Sequence, residues 1–178
     1  MVRIIQIQLL FIIFSTNSSC QSKRDYSNLN YFVKEFSKDY SLYKREGFES
    51  NNKIATSSYA TNFKSSNLKS LNVLIFSSKN NDKGKSDLGF KIIVYRYSNA
   101  TDANKQFIEL EQIKQTQDES ILGKDWDYLV CDKNYLLRLD AGCFYSDSLW
   151  SNLKTRFIGG IGKNSIKYIE CNCGGNCN

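Results

Sequence analysis

The chain has 178 residues and carries 24 Lys and Arg against 18 Asp and Glu, a formal net charge of +6 at pH 7. This small excess is scattered along the sequence, which argues against a nucleic-acid-binding protein. The sequence contains no histidine, and this excludes enzymes that depend on a Ser-His or Cys-His pair and metal sites that use histidine. We therefore expect a protein that is not an enzyme, with no catalytic residues and no cofactor.

Residues 1–19 predict a secretory signal peptide. Arg3 supplies a short basic segment, residues 4–14 form an apolar run interrupted only by two glutamines, and small polar residues follow as far as Ser19. A helix needs about 20 apolar residues to cross a bilayer, and this run is roughly half as long. We expect the leader to direct export without leaving a transmembrane anchor.

Cys20 follows directly after the small residue Ser19. This arrangement resembles the lipobox of bacterial lipoproteins, although Asn17 stands where that family usually has an aliphatic residue. The resemblance implies cleavage before Cys20, a lipid on that cysteine and attachment to the bilayer of the bacterial cell envelope. Secretion of an unlipidated chain is the alternative localisation.

Residues 20–28 are polar and predict a tether, and residues 28–46 predict a helix. Within that helix, apolar and aromatic residues recur every three or four positions, which is typical of a face packed on a core; these residues are Leu29, Phe32, Val33, Phe36, Tyr40 and Tyr43. Residues 50–70 are rich in Ser, Asn, Thr and Lys. We expect a loop or a weak strand there.

Two pairs of β-branched and aromatic runs predict antiparallel hairpins. The first pair is 71–77 and 90–97, joined by a polar loop, and the second is 125–131 and 135–141, joined by a short turn. Between the pairs, an amphipathic helix is predicted over 102–117. A short helix over 147–156 and a last strand over 165–170 complete the chain.

Strands that arrive in hairpin pairs, with helices between them, predict an α+β fold. We expect a single domain over residues 29–170, in which helices pack on one side of an antiparallel β-sheet and loops cover the other. Residues 171–178 then form a cysteine-rich C-terminal tail.

Two motifs invite a functional interpretation that their context does not support. Residues 159–164 resemble a phosphate-binding loop, but Phe157 and Asn164 occupy positions that require Gly and Ser or Thr, so we interpret the segment as a flexible link. Asp125 and Asp127 flank Trp126, and a carboxylate pair beside an aromatic ring suits sugar chemistry. We expect them instead to be solvent-facing charges at the start of a strand.

Six cysteines give the strongest chemical signal after the leader: Cys20, Cys131, Cys143, Cys171, Cys173 and Cys177. In an exported protein the default expectation is disulfides. If Cys20 is lipidated, five cysteines remain and one of them must be free or pair with another chain; if it is not, all six can form three bonds. A bond between Cys131 and Cys143 is favoured, although it requires the chain after Ala141 to fold back.

The tail cysteines leave more than one interpretation open. Cys171 and Cys173 are too close in sequence to bond without strain, so Cys171 with Cys177 is the expected local bond, or a tail cysteine reaches back into the domain. Three thiolates at Cys171, Cys173 and Cys177 would also suit a soft metal ion such as Cu(I) or Zn(II).

The sequence thus predicts a lipoprotein of the cell envelope with a binding or structural role. The alternative is an exported thiol protein that binds a soft metal or exchanges disulfides through its tail.

Overall fold

The computed structural model describes residues 26, 29–49, 51–60, 67–79, 89–115, 125–162, 167–173 and 177. The predicted signal peptide, Cys20 and most of the polar loop of the first hairpin lie outside these residues. Within the described part of the chain, the α+β prediction is confirmed.

In the described residues, six antiparallel strands form one sheet in the spatial order β1-β2-β3-β5-β4-β6. Each neighbouring pair runs antiparallel. The strands are β1 Tyr40–Phe48, β2 Leu68–Ser78, β3 Gly89–Tyr97, β4 Trp126–Asp132, β5 Tyr135–Ala141 and β6 Lys167–Cys171. Both predicted hairpins are therefore present, and β1 is a strand that the sequence did not predict.

The described helices are α1 Asn30–Phe36, α2 Asn51–Ala55, α3 Ala100–Gln115 and α4 Asp147–Ile161, with a short 3-10 turn at Ser58–Ala60. Helix α1 ends at Phe36, ten residues before the predicted boundary at residue 46. The Ser37 hydroxyl donates to the Lys34 carbonyl, and the backbone N–H of Lys79 donates to the Asp39 carbonyl at 3.0 Å. These bonds turn the chain beside the end of β2, so the next residues continue as an edge strand.

Helices cover both faces of the sheet, which corrects the expectation of helices on one side only. On one face, α1 and α4 pack on buried residues such as Phe76, Ile92 and Leu137. On the other face, α2 and α3 pack on buried residues such as Val73, Tyr95 and Leu136. Alternate residues of each central strand thus enter different cores, and this explains why neither face of β3 has a polar pattern.

The glycines that we interpreted as a flexible link lie inside α4. Gly160 is buried in the helix, and a Cβ atom on it would lie 2.8 Å from ring atoms of both Tyr31 and Phe32. The absence of a side chain therefore allows α1 to approach α4 closely. The helix stops at Gly162, whose φ of 95° favours glycine and whose N–H donates to the Ile158 carbonyl at 2.9 Å.

Tyr26 belongs to the core, although the sequence placed it in the tether. Its hydroxyl donates to a carboxylate oxygen of Asp132 at 2.7 Å and lies 3.0 Å from the carbonyl oxygen of Ile161, and its ring packs edge-on against Tyr135. The chain therefore joins the domain where β4 ends and α4 ends. We call this the tether end of the molecule, and the opposite end, where β5 and β6 finish, the disulfide end.

Candidate functional site

Two disulfides lie at the disulfide end, and they differ from the favoured pairing. Cys143, just after β5, is bonded to Cys173, and Cys171, the last residue of β6, is bonded to Cys177. Both alternatives considered for the tail occur together, a local bond and a bond that reaches back into the domain. The tail is therefore fixed to the sheet at two points.

The expected bond between Cys131 and Cys143 is wrong, and the strand register gives the reason. Cys131 pairs with Leu136 near the turn of the β4–β5 hairpin, whereas Cys143 follows Ala141, which pairs with Trp126 at the far end. Five residues of strand separate these rows, a distance of about 17 Å. Disulfides need Cα atoms within about 7 Å.

Cys131 is a free thiol packed at the margin of the α2/α3 core. Burial raises the pKa of the thiol from 9.0 to about 11, despite the opposing effect of Lys167. Since the thiolate is the nucleophile, Cys131 is a poor reactive group at neutral pH.

The structure does not assemble the predicted metal alternative. Cys171, Cys173 and Cys177 are all engaged in disulfides, so the oxidised chain has no thiolate there for a soft metal ion. Across the described residues, no group of three or more Cys, Asp or Glu side chains is arranged to hold a metal.

The loop between β5 and α4 presents an exposed aromatic ring from a fixed backbone. Phe144 is 74% exposed, while its neighbour Tyr145 is buried. On one side of Phe144, Cys143 is held by its disulfide; on the other, the Tyr145 carbonyl accepts a hydrogen bond from the Trp126 indole at 3.1 Å. Binding residues are often found on loops that a scaffold positions, and Phe144 is one of several large apolar side chains that the described surface exposes.

A pair of stacked tryptophans packs beside this loop, and one of them, Trp126, is its hydrogen-bond donor. Trp126 and Trp150 stack with ring centroids 5.4 Å apart, and the Trp150 indole donates to Glu170 at 3.0 Å. Glu170 also accepts from Lys154 at 2.7 Å. These contacts link β4, α4 and β6 at the disulfide end. The side chain of Ser146 caps the start of α4 by accepting from the Leu149 N–H at 3.5 Å.

A row of charged residues crosses the sheet near the same end, on the α2/α3 face. Arg138 donates from Nε to Asp127 at 2.9 Å, and its Nη2 lies 3.5 Å from Asp140. Lys91 lies 3.9 Å from Asp140 on its other side. Positive and negative groups alternate along this row, so each charged group has a neighbour of opposite sign within it.

Asp127 is buried, which corrects the expectation that it faces solvent; Asp125 is exposed. Burial opposes the positive charge of Arg138, but Asp127, Tyr95 and Asp140 together raise the pKa of its guanidinium above the ordinary value. Burial likewise raises the pKa of the Tyr95 hydroxyl, which donates to the Tyr59 carbonyl at 2.8 Å. Because its carboxylate is paired with Arg138, Asp127 is better suited to stabilise the fold than to act as a base.

Sequence reasoning missed Phe144 and the charged row. Arg138 and Asp140 are two apart in the predicted strand 135–141 and so share a face; once that strand is paired with 125–131, the register places Asp127 opposite Asp140. The signal for the row was therefore present in the sequence. No pattern marks Phe144, since its exposure depends on how the loop folds.

Fold and site together define an antiparallel α+β domain that is fixed by disulfides at one end and joined to its N-terminal segment at the other. Comparisons with protein-family models, with curated proteins and with solved structures found no match to this chain. Among the described helices, none has the length and apolar character needed to span a bilayer.

Proposed function

We propose that this chain is an exported lipoprotein, anchored to a bacterial membrane through acylated Cys20, with a non-catalytic binding or structural role in the cell envelope. Its two disulfides support export, because such bonds persist in oxidising compartments. The leader supports the anchor. The alternative within this proposal is secretion without the lipid.

The disulfide pattern is compatible with a lipid on Cys20 and equally with an unlipidated chain. Of the cysteines that follow Cys20, Cys143, Cys171, Cys173 and Cys177 form two bonds and Cys131 is a free thiol. The partly buried Cys131 is therefore the one thiol among these five that Cys20 could pair with. Cys131 also lies on the α2/α3 face, whereas Tyr26, which continues from the tether, lies in the core of the other face.

Intact mass spectrometry of the membrane fraction tests the anchor. We expect a chain that begins at Cys20 and carries acyl groups, with two disulfides and one free thiol after alkylation without reduction. An unlipidated chain recovered from the medium would overturn the anchor. A Cys20→Ser variant provides the control, since a high-salt wash, which screens electrostatic binding, should release it from the membrane fraction while its disulfides remain intact.

The binding role depends on Phe144, because this exposed ring is held by the disulfide of the preceding residue and the buried tyrosine that follows it. The chemistry of such a ring suits an apolar pocket on another protein of the envelope.

Site-specific cross-linking tests this binding role. A photoreactive phenylalanine analogue at position 144 should give one discrete adduct in intact envelopes. The matched control is the same analogue at Tyr43, which is 76% exposed on the edge strand β1. Equal, diffuse cross-linking from both positions would contradict a binding site at Phe144.

Disulfide exchange is the second candidate function, and one observation favours it. Cys143 is exposed, so a partner thiol can reach its bond to Cys173, whereas Cys171 of the other bond is buried. An exchange protein would open Cys143–Cys173 selectively in a glutathione buffer, at potentials where structural disulfides stay closed. If both bonds persist until a stronger reductant is added, their role is structural.

A further inference from the structure

We propose that the tether end of the domain is a membrane-facing surface that binds anionic lipid headgroups through Lys69, Arg96, Lys133 and Lys167, here named the basic end. This inference rests on the proposed lipid anchor and adds an orientation to it. It predicts which end of the domain contacts the bilayer and which end faces away.

The first argument is the shortness of the chain before the domain. Tyr26 is already fixed to Asp132 and Ile161, and only residues 21–25 stand between it and Cys20. Fully extended, this segment spans at most about 20 Å. A lipid on Cys20 therefore keeps the tether end close to the headgroups. The nine-residue strand β3 extends about 30 Å away from it.

The second argument is the charge of that end. All four residues of the basic end are exposed. Lys69 lies at the start of β2, Arg96 near the end of β3, Lys133 in the β4–β5 turn and Lys167 at the start of β6. They are therefore spread along the tether end from β2 to β6, and Lys167 lies on the α2/α3 face, where it donates to Asn104 at 2.9 Å.

Acidic groups at the tether end are fewer than basic ones among the described residues, and two of them, Asp102 and Asp132, are only partly exposed. Asp132 accepts the Tyr26 hydroxyl, and Asp102 accepts hydrogen bonds from Asn67 and Asn99. Glu49 is the exposed carboxylate that follows β1. The exposed charge of this end, in the part of the chain that the structure describes, is therefore positive.

The described part of the disulfide end lacks this positive excess. Among the described residues, its exposed carboxylates are Asp39, Asp125 and Asp147, of which Asp39 is paired with Arg156 at 3.0 Å, and its exposed cations include Lys38 and Lys79. An anionic surface therefore attracts the tether end more strongly than the disulfide end.

A vesicle experiment tests the surface without the lipid anchor. The Cys20→Ser chain should sediment with equimolar phosphatidylglycerol and phosphatidylcholine vesicles at low salt, and not with phosphatidylcholine alone. Replacing Arg96 and Lys133 together by Gln should weaken this binding by more than about tenfold, since each basic residue contributes roughly fivefold at an anionic surface. The matched control replaces Lys38 and Lys79 by Gln, which removes the same charge from the disulfide end and should change binding little.

Lysine modification of the lipidated protein gives the orientation directly. In vesicles, relative to detergent, Lys69, Lys133 and Lys167 should be protected from an impermeant amine reagent, and Lys38 and Lys79 should not. Uniform modification of a chain shown by its mass to be acylated would overturn the inference and leave the anchor standing. If the chain carries no lipid yet binds vesicles through the basic end, the anchor fails and the surface stands. Equal loss of binding in both double variants would also overturn the inference.

Discussion

Asp127 shows how a residue that looks functional in the sequence can have a structural role. A carboxylate beside a tryptophan suggests carbohydrate chemistry, but its side chain is only 3% exposed and is paired with Arg138. Removing one partner of such a pair leaves an uncompensated buried charge, and this costs far more than loss of an exposed pair. The charged row therefore joins a strong pair, Arg138 with Asp127, to a weak one, Lys91 with Asp140.

We expect Arg138→Met to reduce the free energy of unfolding by about 3–5 kcal/mol, because Asp127 would remain buried without a counter-ion. Lys91→Met is the matched control. Its side chain is 41% exposed and lies 3.9 Å from Asp140, so the expected loss is at most about 1 kcal/mol. Urea unfolding of both variants measures the difference, and equal losses would show that the pair with Asp127 is not the stronger one.

At the scale of elements, the contact between α1 and α4 depends on a single missing side chain. Gly160 faces Tyr31 and Phe32, whereas a Cβ atom on Gly159, its neighbour in α4, would meet nothing within 4 Å. Two adjacent glycines of one helix therefore have different roles. Gly160 permits close packing, and Gly159 only lowers the helix propensity of α4.

Gly160→Ala should lower the free energy of unfolding by about 1–3 kcal/mol, because a methyl group 2.8 Å from two rings forces the helices apart. Gly159→Ala should instead raise it, by up to about 1 kcal/mol, through improved helix propensity. Chemical denaturation of the two variants measures both changes. A stabilising Gly160→Ala would mean that the α1–α4 contact is looser than described.

The two disulfides should differ in their contribution because they close loops of different size. Cys143 and Cys173 are 30 residues apart, and Cys171 and Cys177 are 6 apart. Loop-closure entropy predicts a loss of about 4 kcal/mol when the first pair is replaced by Ser and about 2 kcal/mol for the second. Thermal unfolding of the two double-serine variants checks this order, and a larger loss for the short loop would contradict it.

The elements that the sequence predicted correctly are those whose local pattern agrees with their tertiary surroundings. The run at 135–141 alternates between the two cores and has the observed bounds of β5. The helix predicted through Tyr40 and Tyr43 was wrong. Their spacing continues the period of the helix before them, but pairing with β2 makes the segment a strand. The flexible link predicted at Gly159 and Gly160 was wrong for a similar reason, since packing of α4 on α1 outweighs the low helix propensity of glycine.

At the scale of the whole molecule, buried tyrosines should make the fold sensitive to alkaline pH. Burial raises the pKa of Tyr128 to about 12 and raises the pKa values of Tyr95, Tyr97 and Tyr145 further above their ordinary value of 10.0. These hydroxyls stay neutral in the folded protein while those of the unfolded chain ionise. The unfolded state then binds fewer protons, so stability falls as pH rises above 10.

Tyr97 provides the test of this pH dependence. Among the described residues, none forms a hydrogen bond with the buried hydroxyl of Tyr97. Because an unsatisfied buried polar group is destabilising, Tyr97→Phe should leave stability at neutral pH unchanged or slightly higher. Above pH 10, the free energy of unfolding of the variant should fall less steeply than that of the unaltered chain. Urea titrations across this range measure both slopes, and identical slopes would show that Tyr97 ionises freely in the folded state.

The arrangement of the whole molecule was predicted only in part. Hairpin pairs separated by helices were sufficient to indicate an antiparallel α+β fold. The disulfide partners were not predictable from spacing, because Cys143 meets Cys173 only after β6 has paired with β4 beside the end of β5. The position of Tyr26 was likewise hidden, since a single aromatic residue among polar neighbours has no periodic pattern.

The bridge between Cys171 and Cys177 also determines whether the sheet can recruit another chain. At β1, the opposite edge, a bulge near Tyr43 and the charges of Lys44 and Arg45 discourage further pairing. At β6, the tail itself pairs with the strand through an isolated antiparallel bridge at Cys171 and Cys177. When this bond is reduced, we expect the last strand to be open to edge-to-edge pairing, so the disulfide that fixes the tail also keeps β6 from acting as a free edge.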